Sequence, residues 1–226
     1  MNINKIIKVF KKVNLLKTLY FNFHYFPFKI AVRLPVFIFW RSELYKMKGT
    51  ILINAPISTG MLKFGCHGLG TQDLLYSRTM WEVYGTLILD GKANIGRGSK
   101  ISIGEDATLI LGKNFSITGN STIISQKEIT FGSDCLLSWD ILIMDTDFHH
   151  IMDKDYNKIN NPEAIKIGKH VWIGCRNTIL KGVSIADNTV ISANSIITRS
   201  FFEENCVIGG HGKNVNVIKK DIIWSI

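Results

Sequence analysis

The stretch Asp145–His150, DTDFHH, gathers two carboxylates and two imidazoles into six residues. Histidine changes charge near neutral pH, so a positioned imidazole can take the proton of a hydroxyl as that oxygen attacks an electrophile. A neighbouring carboxylate can fix the ring tautomer or bind polar substrate groups, although aspartates also form turns for purely local reasons. The same residue types bind metals, but a three-histidine zinc centre needs ligands that converge. Beyond His149 and His150 the next histidine is His170, with no second one a few residues further on, so no metal site is expected.

The elements that position this stretch show in its flanks. Ile167, Ile173, Ile179, Ile185, Ile191 and Ile197 recur at every sixth position. Four positions after each stand Val171, Asn177, Val183, Thr189, Ser195 and Phe201, mostly small or β-branched, and Gly168, Gly174 and Ala186 directly follow three of the isoleucines. This period belongs neither to a helix face nor to simple strand alternation. A six-residue unit cannot bury its apolar side alone, so successive units must stack into an all-β solenoid with the isoleucines as an inner column. Looser versions lie upstream, where Ile95, Ile103 and Leu111 step by eight and Phe131, Leu137 and Ile143 by six. The spacing predicts a solenoid over residues 85–218, a connecting or early solenoid region at 49–84 and a tail at 219–226. Between Ile143 and Ile165 the ladder fails, and the four aspartates, three asparagines and one proline there predict a loop over 144–165 outside the wall. DTDFHH lies in that loop.

The net charge of +9 sits at one end. Residues 1–48 hold ten Lys/Arg and a single acid, Glu43, while the rest of the chain balances at seventeen of each sign. A basic excess confined to one segment points to anionic lipid or phosphate and away from a nucleic-acid-binding body. Residues 3–19 predict a helix with Ile3, Ile6, Phe10, Val13 and Leu16 on one side and Lys5, Lys8, Lys11 and Lys12 on the other. Two readings stand: peripheral docking of residues 1–40 on an anionic bilayer, at roughly 1 kcal/mol per lysine near the headgroups, or a helix capping the body with its polar face in water. The aromatic stretch at 20–40 contains Pro27, Lys29, Arg33 and Pro35 and does not read as a membrane span. The start lacks a small-residue cleavage site. Cys66, Cys135, Cys175 and Cys206 form no CxxC pair, which favours a reducing, cytoplasmic setting.

The isoleucine ladder, IGKHVWIG at 167–174 and SWDILIMDTDFHHI at 138–151 resemble the hexapeptide-repeat acyltransferases, among them galactoside and maltose acetyltransferases and O-acetyltransferases of capsular and other surface polysaccharides. TLYFNFHYFPFKIAVRLP at 18–35 is similar to the leader of the surface-polysaccharide members. The resemblance implies a left-handed parallel β-helix with an N-terminal helical and aromatic segment (1–48) and a protruding active-site loop; periodicity alone allows either hand. It also implies acetyl transfer from acetyl coenzyme A to a carbohydrate hydroxyl, with His149 as general base and no metal. Asp145, Asp147 and Trp139 would then face the acceptor. For the coenzyme the resemblance points to Trp172, Cys175, Ala193, Thr198, Lys213 and Lys219, each of which has coil packing or simple solvation as its alternative role. Gly212 stands where the family carries proline. A homotrimer is implied, with the donor site between subunits. Two other functions remain open: N-acylation of an amino-sugar nucleotide at the same site, and a non-enzymatic solenoid scaffold.

Overall fold

A computed structural model describes residues 12–66, 68–70, 72, 73 and 75–225. Among these residues the strands form three sheets of nine, seven and six members, and the chain visits the sheets in rotation. Every third strand therefore stacks on the one before it. Val36–Ile38 pairs with Leu62–Phe64, Ser42–Met47 with Thr79–Val83, and Thr50–Ile53 with Thr86–Leu89, all parallel. The last strand, Asn216–Lys219, departs from this pattern by running antiparallel to Val207–Gly209.

The hexad is visible as geometry in the later coils. Ile167, Ile173, Ile179, Ile185, Ile191 and Ile197 are all buried, and so are Val171, Asn177, Val183, Thr189 and Ser195 four positions on. Between each such pair the backbone turns a corner at a left-handed residue: His170, Arg176, Gly182, Asn188 and Asn194, with φ from 51° to 77°. Ile173 consequently meets Ile191 eighteen positions later, and Ile179 meets Ile197. One turn of the solenoid is three hexads, one per sheet.

The stacking begins at Val36, ahead of both the expected connecting or early solenoid region at 49–84 and the regular solenoid from 85. The early coils use the same inward column, with Leu87, Leu109 and Ile129 stacked in one sheet and all at most 1% exposed. Their corners are longer, so Leu87 and Leu109 are twenty-two positions apart and the six-residue period is lost.

The first coil has an open end, which the N-terminal helix closes. Helix α1, Leu15–Tyr25, begins after Asn14, whose side chain accepts the Lys17 N–H at 3.0 Å. The continuous helix expected over 3–19 is thus broken: Val13 is buried and bridges Phe39 in extended form, a tertiary pairing that overrides the local apolar period. The part of that expectation on residues 3–11 lies outside the described residues. Thr18 and Asn22 on α1 are buried and bond the unpaired edge of Val36–Ile38: the Asn22 amide donates to the Val36 carbonyl at 2.7 Å and accepts the Val36 N–H at 3.1 Å, while Thr18 Oγ1 accepts the Ile38 N–H at 3.0 Å. Exposed sheet edges template unwanted pairing, and here two side chains satisfy the edge instead. Phe21 completes the plug, its ring edge-on to Trp81 at 5.0 Å.

The C-terminal residues do not trail away at 219. After Lys219 the chain turns back, the Ile222 N–H bonding the Asn205 carbonyl at 2.9 Å. Trp224 lies flat on His170, centroids 4.0 Å apart, and its indole N–H donates to the His170 carbonyl at 3.0 Å.

Candidate functional site

The strand Leu142–Met144 belongs to the seven-stranded sheet and Ile165–Ile167 to the six-stranded sheet. Between them the corner that is three residues long (181–183) in the next coil is replaced by an inserted loop. The loop has its own small scaffold, since Met152 and Lys158 form an antiparallel bridge and the Ile159 N–H bonds the Ile151 carbonyl at 2.9 Å. Asp153 closes the tip by accepting the Asn157 and Asp155 N–H groups, and these bonds, Asn157 foremost, hold its carboxyl below the usual range.

Asp145 anchors the root of the loop. It is fully buried, one oxygen accepting the Gln126 N–H at 2.6 Å and the other accepting the Lys127 N–H at 2.9 Å and the Ser125 hydroxyl at 3.1 Å. These are corner groups of the coil below, and the two backbone N–H groups among them need an acceptor there. Asp145, expected to face the acceptor, here has both oxygens bonded to the wall.

Asp147 stands outside. Its Oδ2 accepts from Lys181 Nζ at 2.5 Å and from the Asn160 amide at 2.9 Å, and the lysine above all holds the carboxyl below its ordinary value. Asn160 is the buried brace of the loop. Its amide also donates to the His149 carbonyl at 2.8 Å, and its oxygen accepts the Ile151 N–H at 2.7 Å. The His149 N–H donates to the Asp147 carbonyl at 2.7 Å. Both backbone groups of His149 are therefore fixed, while its side chain is exposed and its ring has no hydrogen-bond partner among the described residues. Phe148 and Ile151, more than half exposed, give it apolar neighbours in sequence. A ring held from behind and open in front can receive a proton from a bound molecule.

The other expected residues fall mainly on two adjacent corners. Thr198 follows strand Ile196–Ile197, on the corner from which the His149 loop springs, which Lys181 shares after strand Thr178–Leu180. Cys175 and Ala193, with Trp139 and Asp140, lie on the preceding corner, between the nine- and seven-stranded sheets. Outward side chains of the seven-stranded sheet, Leu142, Met144, Leu180 and the 41%-exposed Ile196, separate the two. Trp172 points outward from the nine-stranded sheet, half-buried, its indole N–H on Ser138 Oγ at 3.1 Å. Lys213 sits in a short turn, Gly212–Asn214, beside Thr198, and Lys219 is exposed at the end of the last strand. Gly212 has φ +57°, which proline cannot adopt, so the backbone here follows a different course from one shaped by proline.

Sequence reasoning passed over Lys181 and Asn160. The role of Lys181 arises from stacking, one coil beyond Asp147, and that of Asn160 from the folding of the loop on itself; neither residue type nor spacing marks such partners. Trp224, placed against His170 by the return of the chain, was equally silent.

Residues 164–199 match the family model described as bacterial transferase hexapeptide (six repeats). That stretch carries hexapeptide repeats of the transferase type. Over 91 residues it is 36% identical to the galactoside O-acetyltransferase of Escherichia coli (strain K12), a match covering 39% of this chain and 44% of that protein. Over 130 residues it is 32% identical to the polysialic acid O-acetyltransferase of Escherichia coli O1:K1 / APEC, covering 57% of this chain and 39% of that one. The chain thus spans less than half the length of these two curated relatives. Among solved structures, the polySia-specific acetyltransferase NeuO superimposes with a TM-score of 0.54 at 23% identity, over 82% of this chain and 89% of that one. The hexapeptide-repeat solenoid is accordingly a left-handed parallel β-helix. No helix among its described residues is long and apolar enough to cross a membrane.

Proposed function

We propose that the chain is an O-acetyltransferase that moves the acetyl group of acetyl coenzyme A to a sugar hydroxyl of a surface polysaccharide or its precursor. The observation that carries this reading is His149, whose backbone is locked by Asp147 and Asn160 while its ring is exposed and has no hydrogen-bond partner among the described residues. In the proposed reaction the acceptor hydroxyl gives its proton to the imidazole as the oxygen attacks the thioester carbonyl. The tetrahedral oxyanion collapses, the carbon–sulfur bond breaks, and the imidazolium returns the proton to the departing thiolate. Asp147, tied to Lys181, acts by holding the loop in position.

Supporting the acceptor class are the matches to O-acetyltransferases named for galactoside and polysialic acid. The reading as a homotrimer draws on the two-corner arrangement. A second copy seated on the apolar outward face of Leu142, Met144, Leu180 and Ile196 would bring the Cys175–Ala193 corner of one copy toward the His149 loop of the other, and threefold repetition closes such a contact. Ala193 and Thr198 are small and exposed and Lys213 supplies charge, a set suited to an extended phosphorylated donor. Cys135, Cys175 and Cys206 are free thiols, two of them buried, which fits a reducing, cytoplasmic setting.

The test is incubation of the purified protein with acetyl coenzyme A and oligosaccharides of surface polysaccharides, following thiol release and acetyl gain by mass. Thiol release that requires a hydroxyl acceptor is expected. Transfer to amino sugars alone would assign N-acylation, and absence of transfer and of coenzyme binding would leave a scaffold.

A further inference from the structure

Helix α1 carries two apolar-bearing stripes on opposite sides, and only one of them is covered. Thr18, Phe21, Asn22 and Tyr25 turn inward, and the polar pair among them bonds the solenoid edge. Leu16, Leu19, Tyr20 and Phe23, at the same helical spacing, turn outward and are 81%, 37%, 61% and 46% exposed. The helix therefore shows solvent a more apolar face than it shows the protein, the reverse of an ordinary surface helix. Phe28, in the short helix α2 (Phe28–Ala31), extends the patch, 73% exposed and with its ring 5.9 Å from that of Phe23.

The segment that carries this patch has a nearly uniform positive charge. Lys12, Lys29, Arg33 and Arg41 are exposed, and the one acid of residues 1–48, Glu43, is already paired with Lys17 at 3.4 Å. An apolar stripe with aromatic residues and a basic border matches a bilayer interface carrying anionic headgroups, into which the side chains insert while the cations stay at the phosphates. A partner protein of ordinary composition would not call for this uniform charge.

We infer that the outward face of α1 and Phe28 docks the protein on an anionic lipid bilayer. The inner stripe of α1 caps the strand edge of the first coil, so the outer stripe faces away along the direction in which coils stack. Docking would stand the solenoid upright on the membrane. The His149 loop belongs to the fifth coil of the nine-stranded series, four steps from the first, and at about 4.8 Å per step it would work roughly 20 Å above the docked cap. Such a stand-off suits a glycan extended from a lipid carrier.

The test is flotation of the full chain with phosphatidylcholine vesicles, with and without phosphatidylglycerol. Binding at least about tenfold stronger to the anionic vesicles, weakening at high salt, is expected. The triple variant Leu16→Ser, Tyr20→Ser, Phe23→Ser should lose that binding at least about tenfold yet keep its melting temperature and its acetyl transfer to a soluble acceptor. Lys12→Glu with Lys29→Glu, both at exposed positions, should remove the preference for anionic vesicles, which keeps the test valid if the triple variant folds poorly. No flotation of the wild type at low salt would overturn the proposal. So would self-association that the triple variant abolishes in a chain that never floats, because the face would then join copies of the protein.

Discussion

The coils at 36–131 and those at 165–197 have the same cross-section but different sequence grammar. In the later coils each corner is as short as the hexad permits, and the left-handed residue recurs at 170, 176, 182, 188 and 194. In the earlier ones the inward residues stack just as deeply, with Leu89, Ile103, Leu109 and Ile117 fully buried, while corners take up extra residues. Register in this solenoid is set by the parallel ladder and the inner column. Corners are free to vary, and the His149 loop is the extreme case of that freedom.

The first way to break this comparison is to cut the column in each half. Ile173→Ala and Leu109→Ala should each destabilise by about 2–5 kcal/mol in urea unfolding, because both side chains are wholly buried between stacked neighbours. A cost confined to Ile173 would mean that the early coils are held by something other than the column. Next comes the root of the inserted loop. Asp145→Ala strands the Gln126 and Lys127 N–H groups and should cost about 1–3 kcal/mol, well above the effect of Asp153→Ala at the exposed loop tip. Equal effects would show that the loop is not tied to the coil below. Smallest is the corner itself. Asn188→Val in the strict half and Asn114→Val in the loose half place a β-branched residue at φ 57° and 60°, and each should cost about 1–2 kcal/mol in the same measurement. A corner that tolerates valine would not be held in its left-handed form.

These contrasts also explain what could be read in advance. The isoleucine ladder is legible because the later coils put one residue type at one inward position with no spare residues between. Ile51, Leu87 and Leu109 do the same work with neighbours at uneven distances, so the start of the solenoid at Val36 could not be heard from spacing. The N-terminal helix shows its period in sequence, but its first turn depends on Phe39 claiming Val13, a contact between distant segments. DTDFHH announces a polar loop at the point where the ladder breaks. Its internal division of labour does not show, because Asp145 answers to Gln126 and Lys127 one coil below and Asp147 to Lys181 one coil above. Stacking makes neighbours of residues eighteen or more positions apart, and only coordinates reveal which atoms meet.

The most direct test of the account is acetyl transfer by His149→Ala. The ring is exposed and bonds no described residue, so the variant should melt with the wild type. With acetyl coenzyme A and a transferable oligosaccharide, the account predicts a fall in kcat/KM of about 10²–10⁴-fold with little change in binding of the coenzyme. Undiminished transfer by a folded His149→Ala protein would contradict it.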